Sequence, residues 1–281
     1  MPAGSYVRDN GEFIGGLRWD VARTLGRGRR ARRLFRRIRR LVVIVIVLVV
    51  LPALVFAEVL LLTPGVGDAP AVARAMARAH GVAYPGPPVP QRAAAALIAA
   101  EDHRFYSEPG IDPIAIAGVI AGRITGRPDQ GGATLYQQLA KMLYTPGRNG
   151  VLAEGQQALL GIKLHFSYPK AEILQMYADV AYFGHGYYGL AAASCGYFGE
   201  SPAHLSWGQA AALVGLLQAP SADDPMRHFA NARAREAHVL DRLVATGWLT
   251  RAQAIDAYRQ PLNLAAGRAA RCVAARPLTS T

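Results

Sequence analysis

Acidic charge is scarce where this chain begins. The first 40 residues hold twelve arginines against Asp9, Glu12 and Asp20, so +9 of the chain's +12 sits in the tail. A nucleic-acid-binding domain would be expected to spread its cations over a folded face, and this distribution argues against such a partner. Runs in which β-branched residues alternate with polar ones are also few. With 52% hydrophobic residues, rich in Ala and Leu, that favours a mainly helical protein with a substantial core. Ligand spacing is missing as well. Neither the two cysteines, Cys195 and Cys272, nor His165, His185, His204, His228 and His238 are placed as metal ligands usually are. No metal centre is expected from them.

Long apolar runs are equally rare, except for one. Leu41 to Leu62 is 22 residues with Glu58 as its only charge. That is roughly 33 Å as a helix, against a hydrocarbon core of about 30 Å. Nine arginines between Arg27 and Arg40 flank its start. They should stay in the cytoplasm, where each is worth about 1 kcal/mol beside anionic lipid. The run exceeds a signal-peptide core, and the nearest A-x-A lies beyond it, at Ala69–Ala71. A retained single-pass anchor in the cytoplasmic membrane follows, with everything after it outside. A disulfide is permitted there, but the expectation is an unpaired Cys195 and a tail Cys272.

The order of segments is then a basic cytoplasmic tail (1–40), a transmembrane anchor (41–63), a linker with a short helix (64–84), a folded domain (85–265) and a flexible tail (266–281). Residues 1–26 are expected to be unstructured. The proline-rich stretch Tyr84–Pro90 reads as a stiff connector at the domain boundary. Beyond it, helices are predicted over Arg92–His103, Pro113–Ile124, Thr134–Tyr144, Ala153–Phe166, Lys170–Tyr177, Ser206–Gln218, Asn231–Thr246 and Arg251–Tyr258, with Gly or Pro in the connectors. Asp223-Asp224-Pro225 reads as a surface turn.

The residues that suggest chemistry lie between Leu97 and Tyr144. Glu101 ends an apolar helix, where partial burial raises a carboxylate toward the range of a general base. On its own it would be an ordinary helix-end charge. Its company changes the reading: Asp102, Phe105, then Gly131-Gly132, whose backbone N–H groups can approach an oxyanion at a helix start. Thr134 and Gln137 can donate side-chain bonds, and Lys141 follows two turns after Thr134 on the same face. Such a strip suits a diphosphate. Ser167-Tyr-Pro-Lys170 spells S-x-x-K, but no K-T-G follows and the chain has no room for a transpeptidase domain.

These motifs, in order, resemble the family 51 glycosyltransferases, the peptidoglycan glycosyltransferase domains of monofunctional transglycosylases and class A penicillin-binding proteins. The likeness rests on Glu101-Asp-x-x-Phe105 with Gly110 and Asp112, and on Gln130-Gly-Gly-x-Thr134-x-x-Gln137-Gln138-Leu-x-Lys141. Tyr168-x-Lys170-x-Glu172-Ile-Leu-x-x-Tyr177, Tyr182-Phe-Gly184-x-Gly186-x-Tyr188-Gly189, Tyr197-Phe-Gly199 and Gln218-Ala-Pro-Ser221 continue it.

The resemblance implies a lysozyme-like helical domain behind the anchor, acting on lipid II and the growing glycan strand, with release of undecaprenyl diphosphate. Glu101 would be the base. Asp102, Phe105, Gln130, Gly132, Thr134, Gln137, Lys141, Arg148 and Lys163 would surround the substrate and its diphosphate. No cofactor is required by these residues, and a divalent cation (Mg or Mn) at the diphosphate stays open. The other partners implied are the membrane and cell-wall synthesis or division proteins, not nucleic acid. Departures from the pattern are Gln157 at the second-acid position, Glu108 where histidine is common, and Gly118 and Asn149 where arginines are expected. They leave a second reading open, a non-catalytic relative that binds lipid II or glycan. A hydrolase is weaker still, since cleavage usually wants two carboxylates.

Overall fold

The computed structural model describes residues 13–107 and 134–265. Among them, regular structure is helical, with one isolated bridge between Tyr182 and Tyr188, so the protein is mainly α. It divides into two compact units at Leu62/Thr63. The helix expected over Pro113–Ile124 lies outside the described residues.

The first unit is one helix, α1 (Phe13–Leu62), with Pro52 inside it. Its segment Leu34–Leu61, with an 18-residue stretch at a mean hydropathy of 3.1, is long and apolar enough to cross a membrane. The side chains of Leu41 to Leu51 are exposed rather than packed in a core. The helix runs back through the arginine block to Phe13, so residues 13–26 are helical where an unstructured tail is predicted. Once nucleated, a helix adds residues at little cost, and the arginines, alanines and leucines here are good helix formers.

The second unit contains α2 (Ala69–Ala79), α3 (Gln91–Glu101), α4 (Leu135–Tyr144), α5 (Val151–Ser167) and α6 (Lys170–Val180). It continues with α7 (Leu190–Phe198), a 3₁₀ turn (Pro202–His204), α8 (Trp207–Leu216), α9 (Phe229–Ala245) and α10 (Arg251–Arg259). Its central element is α8, buried from Gly208 to Leu216 and packed against both α3 and α9. A helix apolar all round is one that other helices surround. Capping boxes of Thr134 with Gln137, Ser206 with Gln209 and Thr250 with Gln253 start α4, α8 and α10; each satisfies orphan donors reciprocally. The periodicity argument misses α7, because Leu-Ala-Ala-Ala-Ser-Cys-Gly has no polar face to set a period. Gly196 within it is required by packing, since a Cβ there would lie 2.1 Å from the Tyr187 ring.

The proline-rich stretch is not a free connector. The second unit already begins at Thr63, and the prolines run inside it. Gly86 N–H donates to Asp179 Oδ2 (3.0 Å) and Val89 N–H to Gln175 Oε1 (3.1 Å). Gln175 Nε2 in turn donates to the Pro87 carbonyl (3.1 Å) and Asp179 Oδ1 (3.0 Å). Burial raises the pKa of Asp179, and the bonds from Gly86 and Gln175 pull it partly back. Upstream, the Tyr144 hydroxyl donates to Asp68 Oδ1 (2.8 Å) and the Tyr168 hydroxyl to the Val66 carbonyl (2.8 Å). Cys195 is disulfide-bonded, against the expectation of an unpaired thiol. Its partner lies outside the described residues.

After α6 the chain turns sharply at Gly184, whose φ is +82°. A Cβ there would stand 2.3 Å from the Pro220 carbonyl oxygen. Only glycine meets both demands at once.

Candidate active site

Glu101 is positioned by the way α3 ends. The helix buries Ala93, Ala95, Ala96, Leu97, Ile98 and Ala99. Near its C-terminus the Ala99 carbonyl accepts a bond from Arg242 Nε of α9 (3.1 Å). Terminal carbonyls lack an intrahelical donor, and a cation there is favourable. Asp102 leaves the helical conformation, and its Oδ2 accepts the Leu135 N–H at the start of α4 (2.9 Å). One residue therefore staples α3 to α4, and its neighbour Glu101 makes a separate bond to α4.

Glu101 Oε2 accepts from Gln138 Nε2 of α4 (2.7 Å). Gln138 Oε1 accepts from the hydroxyl of Tyr177, on α6 (2.8 Å). Burial pushes the Glu101 pKa up. The bond from Gln138 and the charge of Arg235 draw it down, and the Asp102 charge adds to the rise. A carboxylate displaced upward but still held by a donor and a cation is suited to taking a proton near neutral pH.

Arg235 is the cation that bears on Glu101. It reaches in from α9, where its guanidinium also contacts Gln218, the Gly215 carbonyl (3.3 Å) and Asp223 (3.7 Å). Sequence reasoning misses it, as it misses the arrangement of Gln138 and Tyr177. A signal exists, however. Ala232, Val239 and Leu243 form the buried stripe of α9, and Arg235 stands on that stripe, where a charge needs a partner. Asp223 and Asp224, expected in a surface turn, are both buried. Asp223 pairs with Arg235, and Asp224 Oδ2 meets His185 Nδ1 at 2.9 Å. Behind them is a small polar cavity of about 200 Å³ lined by Tyr182, His185, Ser221 and Arg227.

Of the strip expected to suit a diphosphate, Thr134, Gln137 and Lys141 are among the described residues. Lys141 is exposed on α4, one turn beyond Gln137 and Gln138, and makes no ion pair among the described residues. Thr134 and Gln137 have other work. The Thr134 Oγ1 accepts the Gln137 N–H (3.2 Å), and Gln137 Oε1 accepts the Thr134 N–H (3.1 Å). Their oxygens cap α4, and what Gln137 still offers a ligand is its side-chain nitrogen. Gln130 and Gly132, with Glu108, Gly110, Asp112 and Gly118, lie outside the described residues.

Three other expected site residues are engaged elsewhere. Phe105 is fully buried against Tyr136 (ring centroids 5.2 Å), with its carbonyl on Lys170 Nζ (2.6 Å). It is a core side chain, because its ring fills the gap under the turn that follows Asp102. Lys163 donates to the carbonyls of Thr63 and of Pro64 (3.2 Å). Arg148 reaches Gln156 Oε1 (3.0 Å). At the second-acid position, Gln157 is buried, donating to Thr145 Oγ1 (3.0 Å) and the Arg148 carbonyl (3.5 Å). It serves as an internal brace for the turn between α4 and α5. Among the described residues no three His, Cys, Asp or Glu side chains converge.

Comparison with known proteins identifies the family. Residues 72–244 match the family model described as Transglycosylase. A penicillin-binding protein 1A from Aquifex aeolicus is 36% identical over 177 residues, covering 63% of this chain and 24% of the relative. The penicillin-binding protein 1A of Haemophilus influenzae is 32% identical over 175 residues, 62% of this chain and 20% of its own. A Cupriavidus necator protein named as a transglycosylase is 32% identical over 176 residues, covering 63% of this chain and 76% of that one. The matched part thus spans a fifth to a quarter of the penicillin-binding proteins and most of the shorter relative.

Proposed function

Because this chain belongs to the transglycosylase family, we propose that it is a membrane-anchored peptidoglycan glycosyltransferase that polymerises lipid II into glycan strands. Glu101 is the base. It takes the proton of the acceptor's GlcNAc 4-hydroxyl as that O–H bond breaks. The freed electron pair forms the new bond to the donor's MurNAc anomeric carbon, and the pair of the broken C–O bond leaves with undecaprenyl diphosphate. The configuration inverts from α to β. Lys141, the exposed cation one turn from Gln138, and the Gln137 amide nitrogen face the departing diphosphate, where charge develops in the transition state. The apolar run Leu41–Leu62 spans the membrane, the arginine block before it remains in the cytoplasm, and the second unit meets its substrate outside.

The observation that carries this reading is the half-buried Glu101 carboxylate held at 2.7 Å by Gln138 on the helix that also bears Lys141. The test is polymerisation of labelled lipid II by the purified full-length chain in detergent. Glu101→Gln should lower the rate by about 10²–10⁴-fold, the usual contribution of a positioned base, with lipid II still bound. An equally active variant would overturn the assignment.

A further inference from the structure

We propose that Tyr177 is a positioning residue for the proton acceptor: by donating to Gln138 Oε1 it fixes which way the Gln138 amide faces, and so which oxygen of Glu101 is basic. This rests on the reading of Glu101 as the base.

A glutamine amide can present either its oxygen or its nitrogen to a neighbour, and the two choices have opposite consequences here. An ionised carboxylate only accepts hydrogen bonds. Gln138 must therefore turn Nε2 toward Glu101, which turns Oε1 toward Tyr177 and obliges the hydroxyl to donate. The bonds at 2.8 Å and 2.7 Å form a one-way chain, Tyr177 to Gln138 to Glu101. Glu101 Oε2 is occupied at its end, and Oε1 is the oxygen left to receive the sugar proton.

Tyr177 is built for this. It lies on the buried face of α6 with Ile173, Leu174 and Met176, so packing fixes its hydroxyl. Burial first, and the Glu101 charge second, push its pKa well up, and the hydroxyl keeps the proton it must donate. The charges that bear on Glu101 itself are Arg235 of α9 and the adjacent Asp102; neither substitution below touches them.

Tyr177→Phe removes the hydroxyl and keeps the ring. Without it the Gln138 amide is free to reverse, and the ionised form of Glu101 loses a charge-assisted bond. The titration of Glu101 in the full-length protein, followed by difference infrared spectroscopy against Glu101→Gln, should then move to higher pH. On lipid II, the acid limb of the kcat–pH profile should move upward with it, lowering kcat on that limb roughly tenfold, the size of one such bond. The rate should recover as pH rises, with KM unchanged. Gln138→Met should give the same displacement, and adding Tyr177→Phe to it should change nothing more, because Tyr177 acts through Gln138.

An unmoved Glu101 titration in Tyr177→Phe, or an undiminished Tyr177→Phe effect in the Gln138→Met background, would overturn the proposal. If the wild-type chain does not polymerise lipid II, the functional reading fails. The infrared titration needs no substrate and judges the hydrogen-bond chain separately.

Discussion

Glu236→Gln should make the protein more stable above neutral pH while changing little in acid. Glu236 is fully buried where α9 packs on α8. Its Oε2 accepts from Arg233 Nη1 at 2.6 Å, but Oε1 has no hydrogen-bond partner. Burial pushes its pKa from 4.5 up to about 7, although Arg233 draws it down. A carboxyl whose folded pKa is raised contributes stability that is fully present below the unfolded pKa and is lost as pH rises through the folded one. Each pH unit of displacement is worth about 1.4 kcal/mol, so wild type should lose about 3 kcal/mol between roughly pH 4.5 and 8. Glutamine does not ionise, keeps an oxygen for Arg233, and escapes that loss. For a domain of this size about 3 kcal/mol corresponds to roughly 6–12 °C. Thermal unfolding of both full-length chains in detergent, from pH 5 to pH 8.5, should show melting temperatures that coincide in acid and diverge toward base. Parallel curves would refute the reasoning.

Other substitutions test other parts of the frame. Gly184→Ala places a Cβ against the Pro220 carbonyl at a φ of +82°, and should cost roughly 2–3 kcal/mol by denaturant titration. Gln157→Glu, which supplies the acid that the family resemblance leads one to expect there, puts a carboxylate where an amide donates to Thr145 and the Arg148 carbonyl. It should destabilise by about 1–3 kcal/mol without raising polymerisation; a gain in rate would mean that the position still faces substrate.

What could be read in advance follows the strength of local signals. The Pro and Gly breaks place the ends of the described helices within about three residues, because those signals are encoded within a few positions. Glu101 stood out because an acid at the end of Leu-Ile-Ala-Ala is locally anomalous. Tyr177 and Arg235 did not, since their meaning depends on packing across 39 residues to Gln138 and on α9 lying beside α3. Lys163 and Phe105 show the opposite error. Motif position suggested ligand contacts, while the cation caps two carbonyls and the ring fills the core. Asp223 and Asp224 read as surface because acids beside proline usually are, and only their tertiary partners made burial affordable.

The hold of Arg242 on the Ala99 carbonyl, together with Arg235 beside Glu101, has a bearing on synthesis. Glu101 lies in the first half of the chain, yet the two arginines that hold its helix end and bear on its charge are translated more than 130 residues later. On the proposed reading, a nascent chain still short of α9 would carry the motifs around Glu101 and no assembled centre until its last large helix had been made and docked.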